Sequence, residues 1–231
     1  MGKRFHSKDG NAFFSIGEKI QKILILGQSK KFITLARDCF PDALITIIPW
    51  RSLEDKLTKV HYFKFKKIDL VIVCGYDYKS SMYSYEKYTK VNITFPLAFI
   101  NKVCSPGTMV VYIATLRSLK KSTWSRYQYA KNELAFQLKR KCSALKVLYI
   151  PTIINRYGLA DINGGFFTRI IFNSLNKMSL LKTVSTNSLN ILFLQILKSK
   201  QNEVMILTLK PKLLFIRRSL FLDRLLRLIC G

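Results

Sequence analysis

The sequence lacks the long apolar runs of a membrane-spanning protein and has few of the residues that bind zinc. No apolar run approaches the roughly 18 residues that a transmembrane helix requires. The 2 histidines do not stand at ligand spacing from any cysteine, which excludes a zinc site of the usual kind. The 5 cysteines are scattered, odd in number and without a Cys-x-x-Cys pair. They are typical of small core residues in a reducing compartment, so we expect a cytoplasmic protein.

Acidic residues are also scarce, with 13 Asp and Glu against 39 Lys and Arg, which gives a net charge of +26. Such a charge attracts polyanions: nucleic acid, an anionic lipid surface or a phosphorylated substrate. The abundance of Lys, Ile, Asn and Phe is equally typical of compositional drift in an AT-rich genome. No RNA-binding motif or zinc finger accompanies the charge, so nucleic acid is not the partner we expect.

What the sequence does contain is a regular alternation of apolar strands and helices between residues 22 and 150. The predicted strands are 22–26, 43–48, 68–74, 108–114 and 144–150, and the predicted helices between them are 30–40, 53–57, 85–103 and 123–141. Each strand is a nearly continuous apolar run, which is typical of a parallel sheet covered by helices on both faces. The pattern predicts an α/β fold, a Rossmann-like doubly wound parallel sheet.

After Pro151 the alternation loosens, and two further helices (166–178 and 187–198) and a strand (204–209) are predicted. We interpret them as a small, reduced C-terminal lobe. The predicted organisation is a lead-in at 1–20, a dinucleotide-binding domain at 21–158, a substrate lobe at 159–209 interleaved with the sheet, and a basic amphipathic helix at 210–231.

The first strand ends in Gly27 and is followed by Ser29, Lys30 and a helix, which is how a nucleotide-binding βα unit begins. A glycine lets the backbone turn sharply and lets a phosphate approach the helix N-terminus. A complete fingerprint has three glycines, and this chain keeps the first. An ordinary βα turn fits the same residues.

A Tyr-x-x-x-Lys pair, Tyr127 and Lys131, lies on the helix after the fourth strand, about a dozen residues beyond Thr115. Residues four apart share a helix face, so both side chains reach the same cleft. A free tyrosine has a pKa of about 10, and a nearby ammonium lowers it toward the range of acid/base work. The same spacing recurs at Tyr62/Lys66 and Tyr83/Lys87, so an accidental pair on a solvated helix is the alternative.

Over residues 22–209, the order of these segments resembles the extended short-chain dehydrogenase/reductase superfamily, in particular its nucleotide-sugar epimerases and dehydratases. The resemblance implies that Tyr127 is the acid/base, that Lys131 tunes it and holds the cofactor ribose, and that Thr115 orients the substrate. It also implies a set of cofactor-binding positions: Gly27, Ser29, Lys30, Arg51, Cys74, Gly75, Asn92, Lys131 and Pro151.

The implied cofactor is NADP or NAD. Arg51 stands where an NAD-preferring member has an acid, which favours NADP. The implied substrate is a nucleotide- or lipid-linked sugar of surface-glycan biosynthesis, and helices near 85–103 and 124–141 would pair in a homodimer of the family type. The incomplete glycine turn and the short second lobe depart from the family. They leave a second hypothesis open, a non-catalytic binding or scaffold protein with a degenerate cofactor site.

The last segment, 213–229, places apolar residues on one broad side of a helix and arginines on the other. A basic amphipathic helix can lie on an anionic bilayer surface, which predicts a peripheral location at the inner face of the membrane. Docking of this helix on its own domain or on a second subunit is the alternative.

Overall fold

The computed structural model describes residues 20–58, 67–115, 126–155, 157–161, 166–178, 181, 183–199 and 203–205. The predicted lead-in up to residue 19, the pair Tyr62/Lys66 and the C-terminal helix at 213–229 lie outside the described residues.

Six parallel strands form the central sheet. In spatial order they are β2 (Leu44–Ile48), β1 (Lys22–Leu26), β3 (Leu70–Val73), β4 (Met109–Thr115), β5 (Leu145–Ile150) and β8 (Glu203–Met205). All five strand pairs are parallel, in register from Lys22 opposite Leu44 at one edge to Tyr149 opposite Met205 at the other. The predicted parallel sheet is confirmed.

Helices connect the strands and cover the sheet. They are α1 (Lys30–Cys39), α2 (Leu53–Thr58), α3 (Tyr85–Thr89), α4 (Phe95–Val103), α5 (Arg126–Lys141), α6 (Phe166–Lys177) and α7 (Thr186–Lys198). Successive residues of β1 point to opposite faces, as the period of a strand requires. Ile23 and Ile25 join a core with Phe193 of α7, and Leu24 and Leu26 join a second core with Phe99 of α4. Two buried layers, one on each face, make the sheet doubly wound.

Three local features differ from the sequence-based predictions. The run that forms β2 was predicted to be a buried strand, but β2 is an edge strand with alternating exposed positions, and Leu44 is 67% exposed. A separate two-stranded parallel sheet, β6 (Thr152–Ile154) with β7 (Thr183–Ser185), follows Pro151, where no strand was predicted. The predicted helix at 85–103 contains a π-helical segment, Lys90–Thr94, immediately before the turn that holds Pro96.

Candidate functional site

The carboxyl ends of β1 and β3 form a crevice at the point where the chain changes direction across the sheet. Since β1 lies between β2 and β3, this is the topological switch point at which open α/β sheets bind ligands. Gly27 follows β1 with φ +127°, and its N–H donates to Ile48 O at 2.9 Å. A Cβ at Gly27 would lie 2.7 Å from Gly75 N, so close backbone approach as well as the turn requires glycine here.

The N-terminus of α1 borders this crevice. Ser29 occupies the N-cap position, although its side chain makes no capping hydrogen bond. Lys30 is exposed. Lys31 forms an ion pair with Asp161 at 3.3 Å; burial lowers the pKa of Lys31, and the Asp161 carboxylate opposes that shift. Of the two lysines at the start of α1, Lys31 therefore turns to the segment beyond β6 and Lys30 remains at the surface.

Lys131 places a buried ammonium at this edge, with 5% of the residue's surface exposed. Its Nζ donates to the carbonyl oxygen of Gly75 at 3.0 Å and to that of Ile113 at 3.4 Å, and it lies 5.2 Å from the centre of the Tyr112 ring. Burial lowers the pKa of the amine to about 8, with an opposing contribution from Cys74. The side chain thus joins the ends of β3 and β4 through their backbone.

The ring of Tyr127 lies 6.0 Å from the Lys131 Nζ, so the first residue of the predicted pair does reach the same edge as the second. The half-buried ring packs edge-on against Tyr76 at 4.7 Å and nearly parallel to Tyr78 at 6.2 Å, and these two tyrosines follow β3. A phenol beside an ammonium can exchange a proton with a bound hydroxyl or carbonyl.

Thr115 and Pro151 lie at neighbouring strand ends. Thr115 is the last residue of β4 and stands opposite Ile150 in the register, and the buried Pro151 follows that residue. The structure therefore brings the ends of β3, β4 and β5 together with the N-terminal turns of α5. This arrangement assembles the three predicted catalytic residues at one edge of the sheet.

Cys74, between β3 and Gly75, is held by the backbone. Its thiol donates to Leu26 O at 3.6 Å. Burial raises the pKa of this thiol to about 11, although the Lys131 charge opposes the shift. Cys74 is thus a neutral lining residue at neutral pH.

Arg51, for which a 2′-phosphate contact is predicted, forms an ion pair within the protein. Its Nε and Nη2 lie 2.7 and 2.6 Å from Asp77 Oδ1. Asp77 is 2% exposed and also accepts hydrogen bonds from Lys79 N and the Tyr83 hydroxyl. Burial raises the pKa of this carboxyl, but the hydrogen bonds from Arg51, Lys79 N and Tyr83 outweigh it, and the pKa is lowered overall.

Asn92, predicted to contact the cofactor, is buried in the π-helical segment and bonded to the same network. Its side-chain oxygen accepts from Asp77 N at 3.0 Å, and its amide nitrogen donates to Tyr88 O at 3.2 Å. A π-helical turn often marks a functional position, because the extra residue redirects a side chain. Here the redirected amide supports the loop after β3.

Trp50 is the residue at this edge that the sequence analysis did not single out. It follows β2, is 5% exposed, and lies directly on Gly75. A Cβ at Gly75 would overlap the indole Cε3 and lie 2.6 Å from Cδ2. The indole Nε1 is buried without a hydrogen-bond partner among the residues that the structure describes. In the sequence, Trp50 is an aromatic residue after one strand and Gly75 is a glycine after another. Only the order of the strands in the sheet brings the two together.

Two ends of the crevice differ in their fit to a dinucleotide. At the ends of β3, β4 and β5, a buried ammonium, a phenol and a hydroxyl suit a ribose and a reacting carbon. At the ends of β2 and β3, the Trp50 indole lies on Gly75 and Arg51 is paired with Asp77, so an adenosine at this end would meet these side chains. Within the described ranges, no group of His, Cys, Asp or Glu could hold a metal ion. No helix among the described residues is long and apolar enough to cross a membrane.

No protein-family model and no curated protein sequence matches the chain. Solved structures do match. A dTDP-4-dehydrorhamnose reductase from Bacillus anthracis, solved with NADP, has a TM-score of 0.57 at 11% identity, over 80% of this chain and 74% of that one. A dTDP-4-dehydrorhamnose reductase from Clostridium acetobutylicum reaches 0.56 at 19% identity, over 82% and 75%.

The ADP-L-glycero-D-manno-heptose-6-epimerase of Helicobacter pylori has a TM-score of 0.56 at 12% identity and covers 88% of this chain and 79% of that one. At these identities the likeness establishes the fold. The resemblance found in the sequence is thereby confirmed at the level of architecture: the chain has the Rossmann-like α/β fold that these reductases and this epimerase share.

Proposed function

We propose that the chain is an NAD(P)-dependent oxidoreductase or epimerase acting on a nucleotide- or lipid-linked sugar, with Tyr127 as the acid/base. The observation that carries the proposal is the buried Lys131 ammonium, held by two backbone carbonyls 6.0 Å from the Tyr127 ring at the switch-point edge of the sheet. Solved structures with this fold include dTDP-4-dehydrorhamnose reductases, one of them with NADP, an ADP-L-glycero-D-manno-heptose-6-epimerase, and the Bordetella bronchiseptica enzyme WbmH with NAD+.

The chain's own residues have distinct tasks in this proposal. The Lys131 charge favours the phenolate form of Tyr127, because an opposite charge in a site of low dielectric stabilises an anion. Tyr127 then moves a proton to or from the sugar oxygen, and the Thr115 hydroxyl hydrogen-bonds that oxygen. The chemistry that bound NADP or NAD supplies is hydride transfer.

Gly27, Ser29 and Lys30 would hold the phosphates at the start of α1, and Cys74, Gly75 and Pro151 would line the cleft. Of the three N–H donors of an ammonium, Lys131 uses two on carbonyl oxygens. The third suits a ribose hydroxyl. Residues 159–209 would form the substrate lobe, and the helices near 85–103 and 124–141 would pair in a homodimer.

The direct test is titration of NADPH into the protein, followed by turnover with nucleotide sugars beginning with dTDP-4-dehydrorhamnose. We expect Tyr127→Phe to lower kcat by about 100-fold to 10,000-fold and to leave the NADPH Kd within about twofold, because the lost hydroxyl acts on the proton and not on binding.

Tyr129→Phe is the matched control, since Tyr129 lies on the same helix and its hydroxyl accepts from Tyr85 at 3.2 Å. Equal kcat values for both variants would remove Tyr127 from its role. Absence of NADPH binding up to roughly 100 µM would favour the second hypothesis, a non-catalytic scaffold, which the contact of Trp50 with Gly75 supports.

A further inference from the structure

The Trp50 side chain covers Gly75, which borders the crevice at Gly27. Gly75 forms its floor, since a Cβ at Gly27 would touch the Gly75 backbone at 2.7 and 2.8 Å. The Trp50 indole lies on that floor in van der Waals contact. A ligand that extends from the start of α1 toward β2 would pass close to Gly75 and therefore to the indole.

The loop that carries Trp50 is tied down on its far side. Arg51, the next residue, is bound to Asp77, and Asp77 is fixed by Lys79 N, Tyr83 and Asn92. The Arg51 side chain is 54% exposed while that of Asp77 is 1% exposed. The ion pair therefore joins a half-exposed cation on the loop after β2 to a fixed anion in the loop after β3.

The closed position also has a built-in cost. The Trp50 N–H is buried without a partner among the described residues. A buried donor without an acceptor destabilises the state that buries it. A swing of the indole away from Gly75 would return this donor to water and uncover the glycine, but it would also take the ring out of an apolar core that includes Leu26 and Phe99, so opening costs free energy that a ligand must supply.

We propose that Trp50 is a movable plug of the adenosine end of the crevice, latched by the Arg51–Asp77 pair, and that an adenine nucleotide binds only after the indole leaves Gly75. The proposal rests on the proposed dinucleotide function. Arg51 is the release point, because a nucleotide phosphate competes with Asp77 for the same guanidinium.

Trp50 fluorescence in the full-length chain measures the plug directly. The sequence has 2 tryptophans, so Trp124→Phe leaves Trp50 as the single tryptophan. In the Trp124→Phe protein without ligand, we expect the fluorescence emission of the buried Trp50 to lie to the blue of that of a solvent-exposed tryptophan and to be only weakly quenched by acrylamide. Saturating 5′-AMP or NADP+ should shift the emission to the red and raise the quenching constant by about threefold or more, since the indole moves from the core to solvent.

The latch is tested without any ligand. Arg51→Met removes the guanidinium from a half-exposed position, and we expect it to raise acrylamide quenching of Trp50. Glu86→Gln is the matched control, because it breaks an exposed ion pair with Lys90 on another helix and should leave quenching unchanged. Equal quenching in the two variants would overturn the latch.

Affinity gives a second measurement. Trp50→Leu should bind 5′-AMP about tenfold more tightly by calorimetry, because it no longer spends binding energy on opening a closed state. Arg51→Met should show an intermediate gain. Circular dichroism establishes that each variant is folded.

The outcomes separate this proposal from the proposed function. Binding by the wild type and by Trp50→Leu with equal affinity and unchanged Trp50 quenching overturns the plug and leaves the dinucleotide function standing. Binding by Trp50→Leu or Arg51→Met alone supports the plug. Binding by none of the three proteins overturns the dinucleotide function and the plug with it.

Discussion

Among single residues, Lys131 combines a positive charge with nearly complete burial. A buried ammonium is stable only when its donors are satisfied. The carbonyls of Gly75 and Ile113 supply two acceptors, and the Tyr112 ring lies 5.2 Å away. Tyr112 in turn donates its hydroxyl to Lys131 O at 3.0 Å. The residue therefore links two strand ends and one helix at the edge where the proposed chemistry takes place.

This burial predicts a pH-dependent stability. The pKa of Lys131 is lowered from 10.5 to about 8, so between these two values the unfolded chain binds a proton that the folded protein does not. Stability then rises with pH across that window, and below pH 8 the full penalty of the buried charge remains. From pH 7.5 to pH 10, the free energy of unfolding of the wild type should gain about 2 kcal/mol relative to Lys131→Met.

Urea denaturation of both proteins at the two pH values measures this difference. Lys139→Met serves as the control, since it removes a charge from an exposed position of the same helix. A difference between wild type and Lys131→Met that is the same at both pH values would show that the amine is not desolvated in solution.

Tyr127 and Lys131 could be predicted as a pair from the sequence because their relation is local. They are four positions apart on one helix, and that helix follows a strand. It did not lead to the partner of Arg51. Asp77 is 26 positions away, and the two meet only because β2 and β3 lie on either side of β1. Pairing across a sheet depends on strand order, which a local pattern does not encode.

At the scale of elements, the loops after β2 and β3 act as one unit. Trp50 packs on Gly75, Arg51 binds Asp77, and the π-helical segment supplies Asn92 to hold the backbone of Asp77. The segment is the local adjustment that places a buried amide at this point. Pro96 follows the segment within backbone that stays helical through Thr94 and Phe95, so its missing N–H leaves one hydrogen bond of this continuous helix unmade.

The contact between the two loops predicts a strong coupling. Gly75→Ala should lower the free energy of unfolding by about 2 to 3 kcal/mol, because the new Cβ overlaps the indole. In a Trp50→Leu background the same substitution should cost less by at least about 1 kcal/mol, since the smaller side chain can move aside. A double-mutant cycle by urea denaturation measures the coupling.

Gly107→Ala is the matched control for this cycle. Gly107 has a positive φ, +97°, but a Cβ there would meet nothing within 4 Å. The cost of Gly107→Ala should be the same in the wild-type and the Trp50→Leu backgrounds. If Gly75→Ala behaved as Gly107→Ala does, the indole would not lie on Gly75 in solution.

The edge strand β2 and the short strands β6 and β7 show where local sequence patterns do not predict burial or strand pairing. The run that forms β2 is as apolar as that of a central strand, yet its outer edge has no neighbour among the described strands and Leu44 is exposed. The short β6 and β7 contain β-branched residues, but with three residues each they are too short to be recognised from the sequence. They are stabilised by pairing with each other, Ile153 opposite Val184, although the two segments are distant in the chain.

At the scale of the whole molecule, the chain has a net charge of +26 because acidic residues are few. In the described structure, several of these acidic residues form structural hydrogen bonds or ion pairs. Asp69 accepts hydrogen bonds from the backbone N–H groups of Gln21 and Lys22 at the start of β1. Asp77 holds Arg51, and Asp161 holds Lys31. The remaining basic excess is available to anionic partners, and its effect should weaken with salt.

The C-terminal segment beyond residue 212 makes the membrane interpretation testable. We expect the full chain to co-sediment with vesicles of phosphatidylcholine and phosphatidylglycerol, and a chain ending at Lys212 to remain in the supernatant, because the basic amphipathic segment is lost. Vesicles of phosphatidylcholine alone are the control. Equal pelleting of the two chains would exclude this segment as the anchor.

The sequence by itself determined the class of fold, because apolar runs of strand length alternate with helical patterns, and burial on both faces of a parallel sheet requires that alternation. It also determined the Tyr127–Lys131 pair, since helix periodicity sets their common face. Only the tertiary structure decided that Trp50 covers Gly75 and that Asp77 engages Arg51. Those contacts join segments distant in the chain, and their existence depends on the order of strands in the sheet.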